Sequence, residues 1–152
     1  MLVYIFMMSI SMSQQEQIEY ALNLFSSNKF HEAINFIDGL LNDFDDRSLL
    51  FNIYGACYAG LGKLDIAIQN YSKAIKLKPN YAKAHFNLGA AFQELGNLNE
   101  AIRSYDHSII LDPESSHAYN NLSIIFRELN QLKQAEANCR KAIELDPRYT
   151  EP

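Results

Sequence analysis

The chain repeats itself every 34 residues, and no other property limits its fold as tightly. Pro79, Pro113 and Pro147 keep that step, as do Leu77, Leu111 and Leu145, and Ala33, Ala67, Ala101 and Ala135. Tyr58, Phe92 and Phe126 follow it too, and so do Phe30, Leu64, Leu98 and Leu132. The phase runs without insertion and divides the sequence into units 14–47, 48–81, 82–115 and 116–149. A repeat of this length is one supersecondary unit that cannot bury its apolar face alone, so neighbours must stack to complete a core.

Each unit reads as two helices. In the third, His85, Leu88, Gly89 and Phe92 fall at i, i+3, i+4 and i+7, which is one buried helix face. Leu98, Ala101, Ile102, Tyr105, Ser108 and Ile109 form a second such stripe. Gly62, Gly96 and Asn130 sit between the paired stripes, where a turn needs a residue tolerant of positive φ. The prolines close each second helix, because proline cannot continue the hydrogen-bond ladder and restricts the residue before it. Gly55 and Gly89, with the alanines at 67, 101 and 135, predict close approach of the two helix backbones. The fold class is all-α, a solenoid of helical hairpins.

The pattern resembles the tetratricopeptide repeat, W-x-x-L-G-x-x-Y followed by A-x-x-x-F and P. Unit two supplies Phe51, Tyr54, Gly55, Tyr58, Ala67, Tyr71, Ala74 and Pro79. Unit three supplies His85, Leu88, Gly89, Phe92, Ala101, Tyr105, Ser108 and Pro113, and unit four Tyr119, Leu122, Ser123, Phe126, Ala135, Cys139, Ala142 and Pro147. Unit one is degenerate, with Gln17, Tyr20, Ala21, Leu24, Ala33, Ile37 and Leu40, and Asp45 in place of proline. The resemblance implies a right-handed α-solenoid of four antiparallel hairpins, with the first unit as a terminal cap. Residues 150–152 would open a truncated fifth unit. Such arrays usually end in a solvating helix, whereas here Ala135, Cys139, Ala142, Ile143 and Leu145 would face outward. The expectation is a fragment of a longer protein, or a partner over that end, with self-association through the uncapped helix as one form of it.

The ends of the chain differ in charge. Residues 1–47 carry seven acids against two bases, and residues 48–152 carry eleven of each, so the whole net charge of −5 lies in the first unit and its leader. Without a basic patch, a nucleic-acid partner is not expected. The leader, residues 1–13, begins MLVYIFMMSISM, which is apolar but well short of the roughly 20 residues a membrane span needs. It also lacks the basic n-region and cleavage site of a secretory signal. It is read as unstructured or non-native, with a membrane partner not expected and a cytoplasmic location. Cys57 and Cys139 belong to no metal-ligand or redox spacing and read as small hydrophobes of a reduced protein.

Catalytic motifs fail on inspection. GACYAGLGKL places Cys57, not glycine, five residues before Gly62, and Lys63 is followed by Leu64, so no phosphate loop forms. HEAIN at 31–35 ends in Asn35 where a zinc site would need a second histidine. His31 and His107 read as surface residues and His85 as core. No catalytic residue, metal ligand or cofactor is expected, and the chain as it stands reads as no enzyme.

By the same resemblance, the first helix of each unit lines a concave surface that holds peptides. The residues placed on it are Asn52 in unit two, Lys83, Phe86, Asn87 and Gln93 in unit three, and His117, Asn120, Asn121, Ile124 and Arg127 in unit four. The dicarboxylate clamp of chaperone-tail receptors would need Lys, Asn, Asn, Lys and Arg where units two to four offer Asn52, Ala56, Asn87, His117 and Asn121, and only Asn87 matches. An asparagine ladder like that of the O-GlcNAc transferase superhelix fits Asn87 and Asn121 but not Ile53 or Glu19. Each amide could grip a peptide backbone, or both could be ordinary solvent-facing amides. The leading function is a protein-interaction scaffold binding an extended peptide or partner helix. The alternatives are a substrate-presenting arm of a bacterial O-GlcNAc-type glycosyltransferase, sulfotransferase or methyltransferase, and an assembly factor tethered to a membrane by residues 1–12.

Overall fold

A computed structural model describes residues 12–149, and all regular structure among them is helical. The helices are α1 (Gln14–Ser26), α2 (Phe30–Leu40), α3 (Arg47–Gly60) and α4 (Leu64–Leu77), then α5 (Ala82–Glu94), α6 (Leu98–Leu111), α7 (Ser116–Glu128) and α8 (Leu132–Leu145). Each 34-residue unit is one helix pair, as the periodicity predicts. The pairs group into two compact units that divide between Pro79 and Asn80, each holding two repeats.

The turns between paired helices recur at one phase. Asn28, Gly62, Gly96 and Asn130 have φ of 57°, 70°, 76° and 56°. Each closes its helix with the same pair of backbone bonds, such as Gly96 N–H to the Gln93 carbonyl and Asn97 N–H to the Phe92 carbonyl, both 2.9 Å. Glycine and asparagine hold these positions because other side chains meet the backbone in the left-handed region.

In the first compact unit, Ile18, Ala21 and Leu24 of α1, Ile34, Phe36, Ile37 and Leu40 of α2, and Leu50, Ile53 and Cys57 of α3 form one buried cluster. The degenerate first repeat shows in α2, which has 11 residues against 14 in α4, α6 and α8. Phe44 in the following loop is buried beside it. The first helix starts at Gln14, directly after the leader's last residue. Ser13 is the N-cap: its hydroxyl accepts from Glu16 N–H, and its own N–H and hydroxyl donate to the Glu16 carboxylate at 2.7 and 2.8 Å. This reciprocal pair satisfies two donors that a helix start leaves open. Residues 1–11 lie outside the described residues. Ser13→Ala is expected to cost about 1 kcal/mol of stability, read as a lowered urea midpoint with unchanged slope, and an unchanged midpoint would remove the cap.

In the second compact unit, Ala101 and Tyr105 of α6 and Ala118, Leu122 and Ile125 of α7 are the buried centre, flanked by Phe86, Ala90 and Phe92 of α5 and Ile102, Ile109 and Phe126. The close approach expected at the glycines is present: a Cβ on Gly89 would stand 2.9 Å from two Tyr105 ring carbons, and one on Gly55 would stand 2.7 Å from the Tyr71 ring. The sequence keeps this contact balanced by size. The paired positions are Ala21 with Ile37, Gly55 with Tyr71, Gly89 with Tyr105 and Ser123 with Cys139. Where the second helix carries a ring the first carries glycine, and where it carries cysteine a buried serine is accommodated.

The face of α8 expected to stand open is largely covered. Ala135 and Ala142 are buried and Cys139, Ile143 and Leu145 are half-buried, so that only Leu132, 62% exposed, is a prominent apolar group of that helix. The segment after α8 turns back, with Tyr149 N–H on the Asp146 carbonyl and the Tyr149 ring 5.7 Å from that of His117. The expected fifth unit, residues 150–152, lies outside the described residues.

Candidate functional site

Nine of the ten residues placed on the inner surface fall on α5 and α7, within the second compact unit. The N-terminal ends of the two helices enclose a depression of about 190 Å³ lined by Ala82, Lys83, Phe86, Ser108, Asp112, Ser115 and His117. Phe86 is its floor. Its ring lies 5.5 Å from that of Tyr105 and 6.4 Å, edge-on, from that of His117, and the Lys83 ammonium stands 5.4 Å from its centroid. The Lys83 charge is thereby held beside an aromatic face that attracts cations. His117 in turn lies between Phe86 and Tyr149.

Further along, the polar residues are organised by a buried tyrosine. Tyr105 is fully buried, yet its hydroxyl donates to Gln93 Oε1 at 2.8 Å and accepts from Asn121 Nδ2 at 2.9 Å. Burial pushes its phenol up to about 12, partly offset by the bond from Asn121. The hydroxyl therefore keeps its proton at every ordinary pH, and the chain Asn121–Tyr105–Gln93 stays intact. One N–H of the half-buried Asn121 amide is thus engaged within the protein.

The remaining residues have simpler settings. Ile124 and Arg127 are exposed, Asn87 and Asn120 are half-buried, and the Asn120 carbonyl accepts from the Ser123 hydroxyl at 2.7 Å. Asn52 requires a correction. It is 6% exposed, and its neighbour Ile53 3%, so this part of α3 does not present the expected accessible surface. For Ile53 the reason is local: α1 and α2 both pack against α3 in the first unit, and Ile53 joins Ile18 and Leu24 in that core.

Sequence reasoning missed Tyr105 as a functional residue, having placed it only on an apolar stripe. The available signal was its hydroxyl, since a phenylalanine would fill the same space without needing a polar partner. Tyr149, Ser108 and Ser115 were missed too. The histidine readings hold in part: His31 and His107 are exposed, while His85 is half-buried and its ring stacks on that of His107 at 5.4 Å. Both cysteines are free thiols, and burial pushes that of Cys57 up to about 11. Among the described residues no group of three or more His, Cys, Asp and Glu could hold a metal, and no helix is long and apolar enough to cross a membrane.

Comparison with known proteins agrees with the repeat phase. The pattern described as tetratricopeptide repeat matches residues 82–115 and again 116–149, and that described as TPR repeat matches residues 55–96. A peroxisomal targeting signal receptor of Candida albicans is 29% identical over 79 residues, which are 52% of this chain and 13% of that receptor. A crystal structure of MamA superposes with a TM-score of 0.79 at 19% identity, over 88% of this chain and 78% of that one. MamA from Desulfovibrio magneticus RS-1, from residue 41 to its end, gives 0.77 at 20% identity, over 91% and 81%. At these identities the likeness to MamA establishes the fold alone. With three consecutive matches spanning residues 55–149, the chain belongs to the tetratricopeptide-repeat family.

Proposed function

We propose that this interaction scaffold holds an extended peptide along α5 and α7 of its second compact unit. The observation that carries the reading is the composition of that surface. Phe86 and Ile124 supply apolar contact, Asn87, Gln93, Asn120 and Asn121 supply amides, and Lys83, His117 and Arg127 supply the charge. Amides suit an extended backbone, whose N–H and C=O groups need partners whatever the side chains are. Packed helices lie about 8–10 Å apart, close to three residues of extended chain at about 3.3 Å each, so one peptide can meet both helices. Similarity to part of a targeting-signal receptor supports a peptide segment as the kind of partner.

The test is a short peptide selected from a random display library on the wild-type chain. Asn87→Ala combined with Asn121→Ala is expected to weaken it about tenfold or more, at about 1 kcal/mol for each hydrogen bond removed. Calorimetric titration measures this directly. Unchanged affinity, or a peptide whose amide shift changes avoid α5 and α7, would overturn the reading.

A further inference from the structure

The hydrogen-bond chain through Tyr105 has a direction, and that direction constrains what the groove can recognise. A tyrosine hydroxyl has one proton to give. Here it goes to Gln93 Oε1, so the hydroxyl must accept from Asn121, as it does through Nδ2. That leaves Gln93 with its two N–H donors, and Asn121 with its carbonyl oxygen and its second N–H. Among the described residues, neither the Gln93 N–H donors nor the Asn121 carbonyl oxygen bonds to another side chain or backbone group. No buried polar side-chain atom among the described residues lacks a partner, so both groups reach solvent.

We propose that Gln93 and Asn121 together recognise one residue of an extended peptide, Asn121 Oδ1 accepting its backbone N–H and Gln93 Nε2 donating to its carbonyl oxygen, with Tyr105 as the positioning residue. In an extended chain the N–H and C=O of a single residue point to the same side, as they do when two strands exchange both bonds. One acceptor and one donor held on neighbouring helices match that pair. Two unlinked amides could rotate and offer either end. The shared hydroxyl couples them, because turning one amide over alone would set two donors or two acceptors against the same hydroxyl, so the two outward ends stay of opposite kind. The phenol, pushed up to about 12, does not ionise in the accessible range and cannot release the arrangement. This inference rests on the peptide reading above and adds a polarity to it.

The experiment uses the full chain and a synthetic peptide selected on it by display. The peptide is remade as a set in which each backbone amide in turn becomes an ester. An ester deletes one N–H and weakens the carbonyl of the preceding residue as an acceptor. Two adjacent positions should therefore respond, with roughly tenfold weaker binding where the N–H is lost and a smaller loss at the next ester. In Tyr105→Phe both responses should fall below about twofold, because the amides are no longer held in one orientation. A scan that is flat in the wild type, for a peptide that still shifts α5 and α7 resonances, overturns the inference and leaves the groove reading standing. Equal sensitivity in Tyr105→Phe overturns the role of the tyrosine. Failure to select any peptide that shifts those helices removes the groove reading and this inference with it. Should Tyr105→Phe not fold, the wild-type scan together with the Asn121 side-chain amide resonances decides. One slowly exchanging, downfield N–H supports a committed donor, and two rapidly exchanging ones refute it.

Discussion

Tyr105→Ala is expected to lower the stability of the second compact unit by about 3–5 kcal/mol, the cost of removing a large buried aromatic side chain. The ring is fully buried, it packs against Phe86 at 5.5 Å, and it lies against the backbone of Gly89. Its loss would leave a cavity at the meeting point of α5, α6 and α7. The deletion also strips Gln93 and Asn121 of their common partner. A whole domain is stable by only about 5–15 kcal/mol, so helices α5–α8 should melt well before the first unit. Urea unfolding followed by far-ultraviolet circular dichroism would then show two transitions where the wild type has fewer. Tyr105→Phe, which keeps the ring, should cost only about 1 kcal/mol. If the alanine variant stays within about 1 kcal/mol of wild type, Tyr105 is not the centre of this core.

The second large effect lies across the same contact. Gly89→Ser places a Cβ where two ring carbons of Tyr105 stand 2.9 Å away, and the ring is enclosed on all sides. Overpacking of this kind costs about 1–3 kcal/mol, and the gain in helix propensity over glycine recovers only a few tenths. The fourth repeat supplies the remedy, since Ser123, which is buried, and Cys139 hold there the repeat phases of Gly89 and Tyr105. Combining Gly89→Ser with Tyr105→Cys should therefore cost less than the two single changes added together, with a coupling of at least about 1 kcal/mol. Additive costs would mean that the glycine answers to something other than the ring.

The hairpins, their turns and the periodic core were legible in the sequence because each depends on local rules repeated four times. Gly62, Gly96 and Asn130 must tolerate positive φ, and Pro79, Pro113 and Pro147 must follow a helix end. The site was legible only as far as periodicity reaches. Phase puts Asn52, Asn87 and Asn121 on one kind of helix face, but it says nothing about which neighbours cover that face. Asn52 is buried all the same, which position within one repeat does not reveal. Likewise, the partner of Asn121 is 16 residues away on α6. Its identity as tyrosine matters only once three helices are seen to meet at one hydroxyl. The covered face of α8 escaped for a related reason, since alanines leave little surface to expose and the turn-back to Tyr149 follows no repeat.

The size-matched pairs, alanine with isoleucine, glycine with tyrosine and serine with cysteine, also set how such a chain can be cut and recombined. Each pair is private to one hairpin, so exchanging a first helix between repeats would set serine against a tyrosine ring or leave a void beside a cysteine. Moving a whole hairpin carries both members of the pair together. The heritable module of this architecture is thus the complete hairpin, and lengthening or shortening the array by whole steps of 34 residues leaves every such pair intact.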